Sequence, residues 1–201
     1  LQRLVEVYED AVTISSGEHR TTVNELTDQL PAIRATTLAA AVTLLVKMGP
    51  FLGHKLLVEE DKGALFAGPI SIMTLLPIAM ARLYTYDIPA ELGSVVVPMK
   101  MEYMQGNLRV NGLVKGDQLS IIDDTLSTGG TLISLIKAAE IVGATVTEIR
   151  VVTEKLGFGG REKIRKSTGL EVRSVIGIRV DSEGKIKVEE VNQKPLIRDF
   201  D

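Results

Sequence analysis

A chain of 201 residues with 45% apolar side chains is long enough for one domain with a sizeable core. Its net charge of −3 argues against a nucleic-acid partner. The absence of cysteine excludes disulfides and thiolate zinc sites, and fits a reducing compartment such as the cytoplasm. The two histidines, His19 and His54, lie far apart, so no paired-histidine metal motif exists. The start of the chain lacks the basic, apolar and small-residue order of a signal peptide.

In chain order, residues 1–50 read as helical, with "VNELTDQL" (Val23 to Leu30) and "TTLAAAVTLLV" (Thr36 to Val46) as two helices. "KLLVEE" (Lys55 to Glu60) reads as a buried strand ending in acid. From Ala64 to Ala81 no charge occurs over roughly 18 residues, the lower limit for a membrane span. Gly68, Pro69 and Pro77 interrupt this run, so it reads as a core helix covering a sheet, with no membrane partner. "SVVVP" (Ser94 to Pro98) is a second strand, stopped by its proline, and Met99 to Asn107 reads as a loop. "LRVNGLV" is a strand or hairpin arm with an Asn-Gly turn at Asn111 and Gly112. "QLSII" (Gln118 to Ile122) is a third strand, and "TLISLIKAAEIVG" an amphipathic helix stopped by Gly143. "TVTEIRVVTE" is a fourth strand, "GGREKIRKS" a short basic helix, "VRSVIGI" a fifth strand and "KIKVEEV" an alternating edge strand.

Strand and helix alternate from Lys55 to Ile178, which predicts an α/β fold with a mostly parallel twisted sheet flanked by helices. Residues 1–50 and the C-terminal tail are expected to form a small hood over one edge of the sheet. The hood would pack with residues 51–201 as one compact unit.

"LSIIDDTLSTGGTL" (Leu119 to Leu132) places two adjacent carboxylates, Asp123 and Asp124, at the end of a buried strand. In an open α/β sheet, ligands bind beyond the carboxyl ends of the strands. Ionised carboxylates only accept hydrogen bonds, and two side by side suit the neighbouring hydroxyls of a ribose diol. Thr125 follows, and then Ser127, Thr128 and Thr131 add hydroxyls. Gly129 and Gly130 let backbone N–H groups be approached, and the next helix offers its positive N-terminus, an anion site sized for one phosphate. The stretch therefore reads as a ribose 5-phosphate pocket. It is not a Walker loop, since no Lys follows Gly130.

"IIDDTLSTGGT" resembles the phosphoribosyl-pyrophosphate (PRPP) motif of the type I phosphoribosyltransferases. The resemblance implies that the paired acids hold the ribose hydroxyls and that the loop cradles the 5-phosphate. "EEDKG" resembles the family's pyrophosphate loop, which gives that role to Asp61, Lys62 and Gly63, with Gly63 letting the backbone approach the ligand. "KMEYM" (Lys100 to Met104) resembles the mobile "LEYG" loop of adenine phosphoribosyltransferases. This implies Glu102 as the catalytic proton relay, Tyr103 beside it and Lys100 as a pyrophosphate contact. "EKLGFGGRE" (Glu154 to Glu162) resembles the "ELxxLxGRE" segment of the adenine enzymes at the same spacing. Lys155 is discordant there, because a lysine near this strand end recognises the 6-oxo group in 6-oxopurine enzymes. Ser127 stands where hypoxanthine–guanine enzymes commonly carry Asp.

The resemblance implies a cytoplasmic purine-salvage transferase that forms AMP and pyrophosphate from adenine and PRPP, and a homodimer. Magnesium is implied as the cofactor, held mainly through substrate phosphates, with Asp123 as the candidate protein ligand. The alternatives are a 6-oxopurine or xanthine phosphoribosyltransferase, or a PRPP-sensing transcriptional regulator. The regulator rests on the helix–turn–helix outline of residues 21–45, whose second helix carries almost no side chains suited to DNA.

Overall fold

The structure, a computed structural model, describes residues 1–16, 19–83, 88–89, 93–100 and 105–189. Helix α1 (Gln2–Glu9) leads into a hairpin of β1 (Val12–Ser16) and β2 (His19–Val23), and then into α2 (Ala35–Lys47). Next come β3 (Lys55–Glu59), α3 (Gly63–Thr74), β4 (Ile78–Arg82), β5 (Ser94–Lys100) and β6 (Gln105–Asn111). The chain continues with β7 (Gln118–Leu126), α4 (Gly130–Val142), β8 (Thr145–Lys155), α5 (Gly160–Thr168), β9 (Val172–Val180) and β10 (Ile186–Glu189). Eight strands form the main sheet in the order β10-β9-β8-β7-β3-β4-β6-β5. The central pairings β9–β8, β8–β7, β7–β3 and β3–β4 are parallel, and the outer pairings are antiparallel.

Each face of the sheet is covered by helices. On one face Leu132, Leu135 and Ile136 of α4 and Ile164 of α5 pack against Ile121, Ile149 and Val151. On the other, Leu4 and Tyr8 of α1, Val42 and Leu45 of α2, and Phe66 and Ile70 of α3 pack against Leu56, Val58, Ile122 and Ile176. Beneath the end of α2, Arg150 of β8 is fully buried. Its guanidinium donates to the carbonyls of Leu45, Gly49 and Pro50, pairs with Glu148 at 2.7 Å, and stacks on Phe51 at 3.9 Å. A buried charge is stable only when so fully partnered.

Three local readings are corrected. The span Val23 to Leu30 is not a helix. The β-branched residues that lead into it, Val12 to Ile14 and Thr21 to Val23, pair across the β1–β2 hairpin, and β-branched side chains favour strands. Asn24 then accepts the N–H groups of Leu26 and Thr27 at 2.8 and 3.1 Å, a local turn that competes with helix. The helix–turn–helix outline therefore lacks its first helix. The span Ala64 to Ala81 divides. Leu75 takes a left-handed conformation (φ 60°) that closes α3, and Ile78 onward forms β4 beside β3. No helix among the described residues is long and apolar enough to cross a membrane. Finally, β5 runs through Pro98 to Lys100 rather than stopping there, and it pairs with β6 from Gln105, so both ends of the stretch read as a loop from Met99 to Asn107 are strand. The β5 strand lies at the edge of the sheet, where a missing backbone donor is tolerated.

The turn after the hairpin is held by charge. Buried Glu25 accepts from Arg34 at 2.6 Å, Arg3 at 2.8 Å and Thr37 at 3.0 Å. The hydrogen bonds from Arg34, with help from Thr37, pull its carboxyl down to about 2. A carboxyl depressed on folding stabilises the fold above its unfolded value, and that contribution is lost as pH falls through the folded one. The Glu25→Gln protein is therefore expected to be less stable than wild type at pH 7, by roughly 2–3 kcal/mol. The difference should shrink between about pH 4.5 and 2, read from urea midpoints across that range.

Candidate active site

The cleft lies where the sheet's connections diverge. From β3 the chain crosses through α3 to β4 on one side, and from β7 it crosses through α4 to β8 on the other. Adjacent parallel strands whose connections part in this way leave a crevice beyond their carboxyl ends. Pairing between β3 and β7 stops at Leu57 and Ile121, while β7 continues beside β8 to Leu126. Asp123 and Asp124 thus lie within the overhang of β7, not beyond the strand.

The cleft has a volume of about 370 Å³. Of the residues proposed from sequence, Asp61, Lys62, Asp123, Asp124, Thr125, Ser127, Thr128, Gly129, Gly130, Thr131 and Lys155 all line it. Gly63 does not. A Cβ there would come within 2.8 Å of the Ile122 carbonyl, so its close approach is to β7 rather than to a ligand. The backbone of Lys100 ends β5. Its side chain, Glu102, Tyr103 and the C-terminal residues 190–201 lie outside what the structure describes.

Both aspartates are buried. The Asp124 N–H donates to Asp123 Oδ1 at 2.9 Å, and Thr125 Oγ1 donates to Asp124 Oδ2 at 3.1 Å. Burial, then the neighbouring Asp124 charge and Glu59, hold the Asp123 carboxyl well above the usual carboxylate range. Burial also raises Asp124, opposed by the positive charge of Lys62 and by Thr125. Glu59 is buried too, its carboxyl raised by that burial, with Oε2 accepting the Asp61 N–H at 3.0 Å. Opposite the acids, Gly129 caps α4 in a left-handed conformation (φ 79°), and no side chain caps the helix. The first-turn N–H groups of α4 therefore remain for an anion.

Among the described residues no three of His, Asp and Glu converge on a metal-holding position. The acids supply hard oxygens but no complete cage. This suits magnesium bound through one or two carboxylates and the phosphates of a substrate.

The far wall was not legible as a wall. Thr21, Thr22, Thr27 and Asp28 line the cleft from the hairpin and its following turn, as does Glu59 from β3. The consecutive β-branched residues Thr21, Thr22 and Val23 were the available signal. Lys155, at the end of β8 and 7% exposed, donates from Nζ to Thr21 Oγ1 at 3.0 Å and stands 5.4 Å over the Phe158 ring. Its neighbour Glu154 turns away from the cleft. Arg161 Nε donates to both its carboxylate oxygens at 2.9 and 3.0 Å, and Ser174 donates at 3.0 Å. The Glu-to-Gly-Arg spacing thus records an internal ion pair that ties α5 to β8 and β9.

No protein-family model matches the chain. The protein of Ferroglobus placidus named hypoxanthine/guanine phosphoribosyltransferase is 32% identical over 184 residues, 92% of this chain and 95% of that one. The protein of the same name from Methanobacterium lacus is 32% identical over 180 residues, 90% of this chain and 92% of that one. Among solved structures, the adenine phosphoribosyltransferase of Thermoanaerobacter pseudethanolicus superposes with a TM-score of 0.71 at 22% identity, over 88% of this chain and 99% of that one. That of Rhodothermus marinus gives 0.68 at 19% identity, over 88% and 98%. At such identities the structural likeness speaks for the fold alone.

Proposed function

The chain belongs to the type I phosphoribosyltransferase family and is a purine phosphoribosyltransferase, and from that premise we propose that its base is a 6-oxopurine rather than adenine. The observation that carries this reading is Lys155, a buried ammonium on the cleft wall. An ammonium donates and never accepts, so it suits a carbonyl oxygen and not the exocyclic amine of adenine. The spacing from Glu154 to Arg161, which favoured adenine, loses its weight because both residues are spent on each other. The names of the archaeal relatives favour the same base class.

In this reading Asp123 and Asp124 accept from the ribose hydroxyls of PRPP. The loop from Ser127 to Thr131, with the N-terminus of α4, holds the 5-phosphate, and Asp61, Lys62 and Lys100 form the pyrophosphate side. Glu102 relays the purine proton. A purine nitrogen attacks the anomeric carbon, pyrophosphate leaves, and the nucleoside 5′-monophosphate forms with inversion. The residues act by positioning and by opposing charge as it develops. Magnesium, held by the diphosphate and Asp123, would supply further neutralisation of the leaving group. We also propose a homodimer in the cytoplasm. Ile72, Met73 and Leu75, exposed at the end of α3, offer an apolar face for the second copy.

Turnover of PRPP with magnesium against adenine, hypoxanthine, guanine, xanthine and orotate, followed by pyrophosphate release, tests the reading. A 6-oxopurine is expected to exceed adenine in kcat/KM by at least about 100-fold, since a site built to hydrogen-bond one group rejects its analogue strongly. Preference for adenine would overturn the proposal. PRPP binding with no turnover of any base would make the protein a sensor. Ser127 leaves the choice among hypoxanthine, guanine and xanthine to this panel.

A further inference from the structure

We infer that Thr21 is a positioning residue for Lys155, so that the β1–β2 hairpin, and not the strand end alone, sets the choice of base. The inference rests on the 6-oxopurine reading above and adds to it the element that aims the recognising group.

The argument begins with the side chain. A lysine carries a point charge on a flexible four-carbon stem and has three donors, so it recognises one carbonyl selectively only if something fixes its tip. The Nζ of Lys155 donates to Thr21 Oγ1 at 3.0 Å, and both residues line the same cleft. Phe158 lies beneath the ammonium at 5.4 Å. The two partners come from segments 134 residues apart, so this bond joins the hairpin to the central sheet across the cleft.

The hairpin is itself held at a second point. In its register Ile14 faces Thr21 and Thr13 faces Thr22. Thr13 Oγ1 donates to the carbonyl of Gly184 at 3.0 Å, in the turn between β9 and β10. A Cβ on Gly184 would fall 2.4 Å from Thr13 Oγ1 and 2.8 Å from an Arg20 nitrogen, so the hairpin is seated directly on that turn. One strand of the hairpin is thus fixed to the sheet's edge, and the other presents Thr21 to Lys155. The hydroxyl is held in place before a base arrives.

The test is steady-state kinetics of Thr21→Val and Thr21→Ser with a 6-oxopurine and PRPP, joined to mass-spectrometric measurement of Lys155 acylation by acetic anhydride. Valine keeps the shape and β-branching but cannot accept the hydrogen bond. We expect KM for the base to rise about tenfold in Thr21→Val, the scale of a lost hydrogen bond to a charged group. KM for PRPP should be unchanged, Thr21→Ser should behave as wild type, and Lys155 should acylate faster in Thr21→Val. An unchanged base KM in Thr21→Val would overturn the inference, and so would KM values for base and PRPP that rise together. If wild type turns over no 6-oxopurine, the functional reading fails instead. Acylation then decides the positioning role: faster labelling in Thr21→Val upholds it, and equal labelling overturns it.

Discussion

An Asp123→Asn enzyme is expected to lose turnover by about two to three orders of magnitude, as when one preorganised electrostatic group is removed from an active site, and yet to melt at a higher temperature than wild type when both are free of substrate. The activity loss follows from the role proposed for Asp123 as a charged acceptor for the ribose hydroxyls. The gain in stability follows from the burial of Asp123 beside Asp124 and near Glu59. A carboxyl whose pKa rises on folding binds its proton more tightly in the native state. Its contribution therefore falls as pH rises from the unfolded value through the folded one, and at neutral pH the cost of burying its charge, or of protonating it, opposes folding. Asparagine removes that charge while its Oδ1 still accepts the Asp124 N–H, a bond of 2.9 Å in the wild type. The gain should be about 1–2 kcal/mol, or roughly 2–8 °C for a chain of this size. PRPP with magnesium should raise the melting temperature of wild type well beyond that of the variant, because ligand binding stabilises by mass action. Calorimetry with and without PRPP reads both effects. A variant that melts lower than wild type without ligand would refute the charge argument.

Gly160→Ala is expected to weaken PRPP binding by about 10- to 100-fold, although Gly160 does not line the cleft. A Cβ at this position would stand 2.1 Å from the Ser127 carbonyl oxygen and 2.8 Å from Leu126 Cδ1. The nearest obstacle is backbone, so relief requires either α5 or the loop from Ser127 to Thr131 to shift. Overpacking of this kind costs about 1–3 kcal/mol, and displacement of the loop separates the α4 N-terminus from the paired acids. Gly159 provides the control. It takes a left-handed conformation (φ 73°) with nothing within 4 Å of its would-be Cβ. Asparagine tolerates that conformation, so Gly159→Asn should bind PRPP nearly as wild type does. Fluorescence titration with PRPP compares the two. If both variants bind equally, the packing of α5 against the loop does not set its position for PRPP.

The contrast between these glycines shows what a sequence discloses and what it hides. The gathering of Asp123 to Thr131 in one cleft was legible because it is local: acids, hydroxyls, glycines and a helix start follow one another along the chain. The β7–α4 unit was legible from its apolar strand and amphipathic helix, whereas the apolar run after β3 hid the break between α3 and β4. The "GFGG" segment was not legible, because the need for glycine at 160 comes from Ser127, a neighbour in space only. The hairpin was missed for the related reason that Thr21 to Thr27 carries mixed propensities. The register with Val12 to Ser16 and the Asn24 turn decide its form. Lys155 was identified as a candidate, but its weight against Glu154 became clear only once Arg161 was seen to occupy the glutamate.

The two ends of the sheet carry a consequence for how copies of the chain meet. At one end β5 has Pro98 in mid-strand, and a proline withholds a donor from any strand that would dock alongside. At the other, β10 bears Lys187 and Glu189, with Arg179 of β9 close to the glutamate at 3.3 Å. Charges along a terminal strand discourage a further strand from adding on. Both margins thus resist growth of the sheet from one molecule into the next, a route that leads to open-ended fibres. Association through the helical face at Ile72, Met73 and Leu75 would instead pair like with like and close on itself.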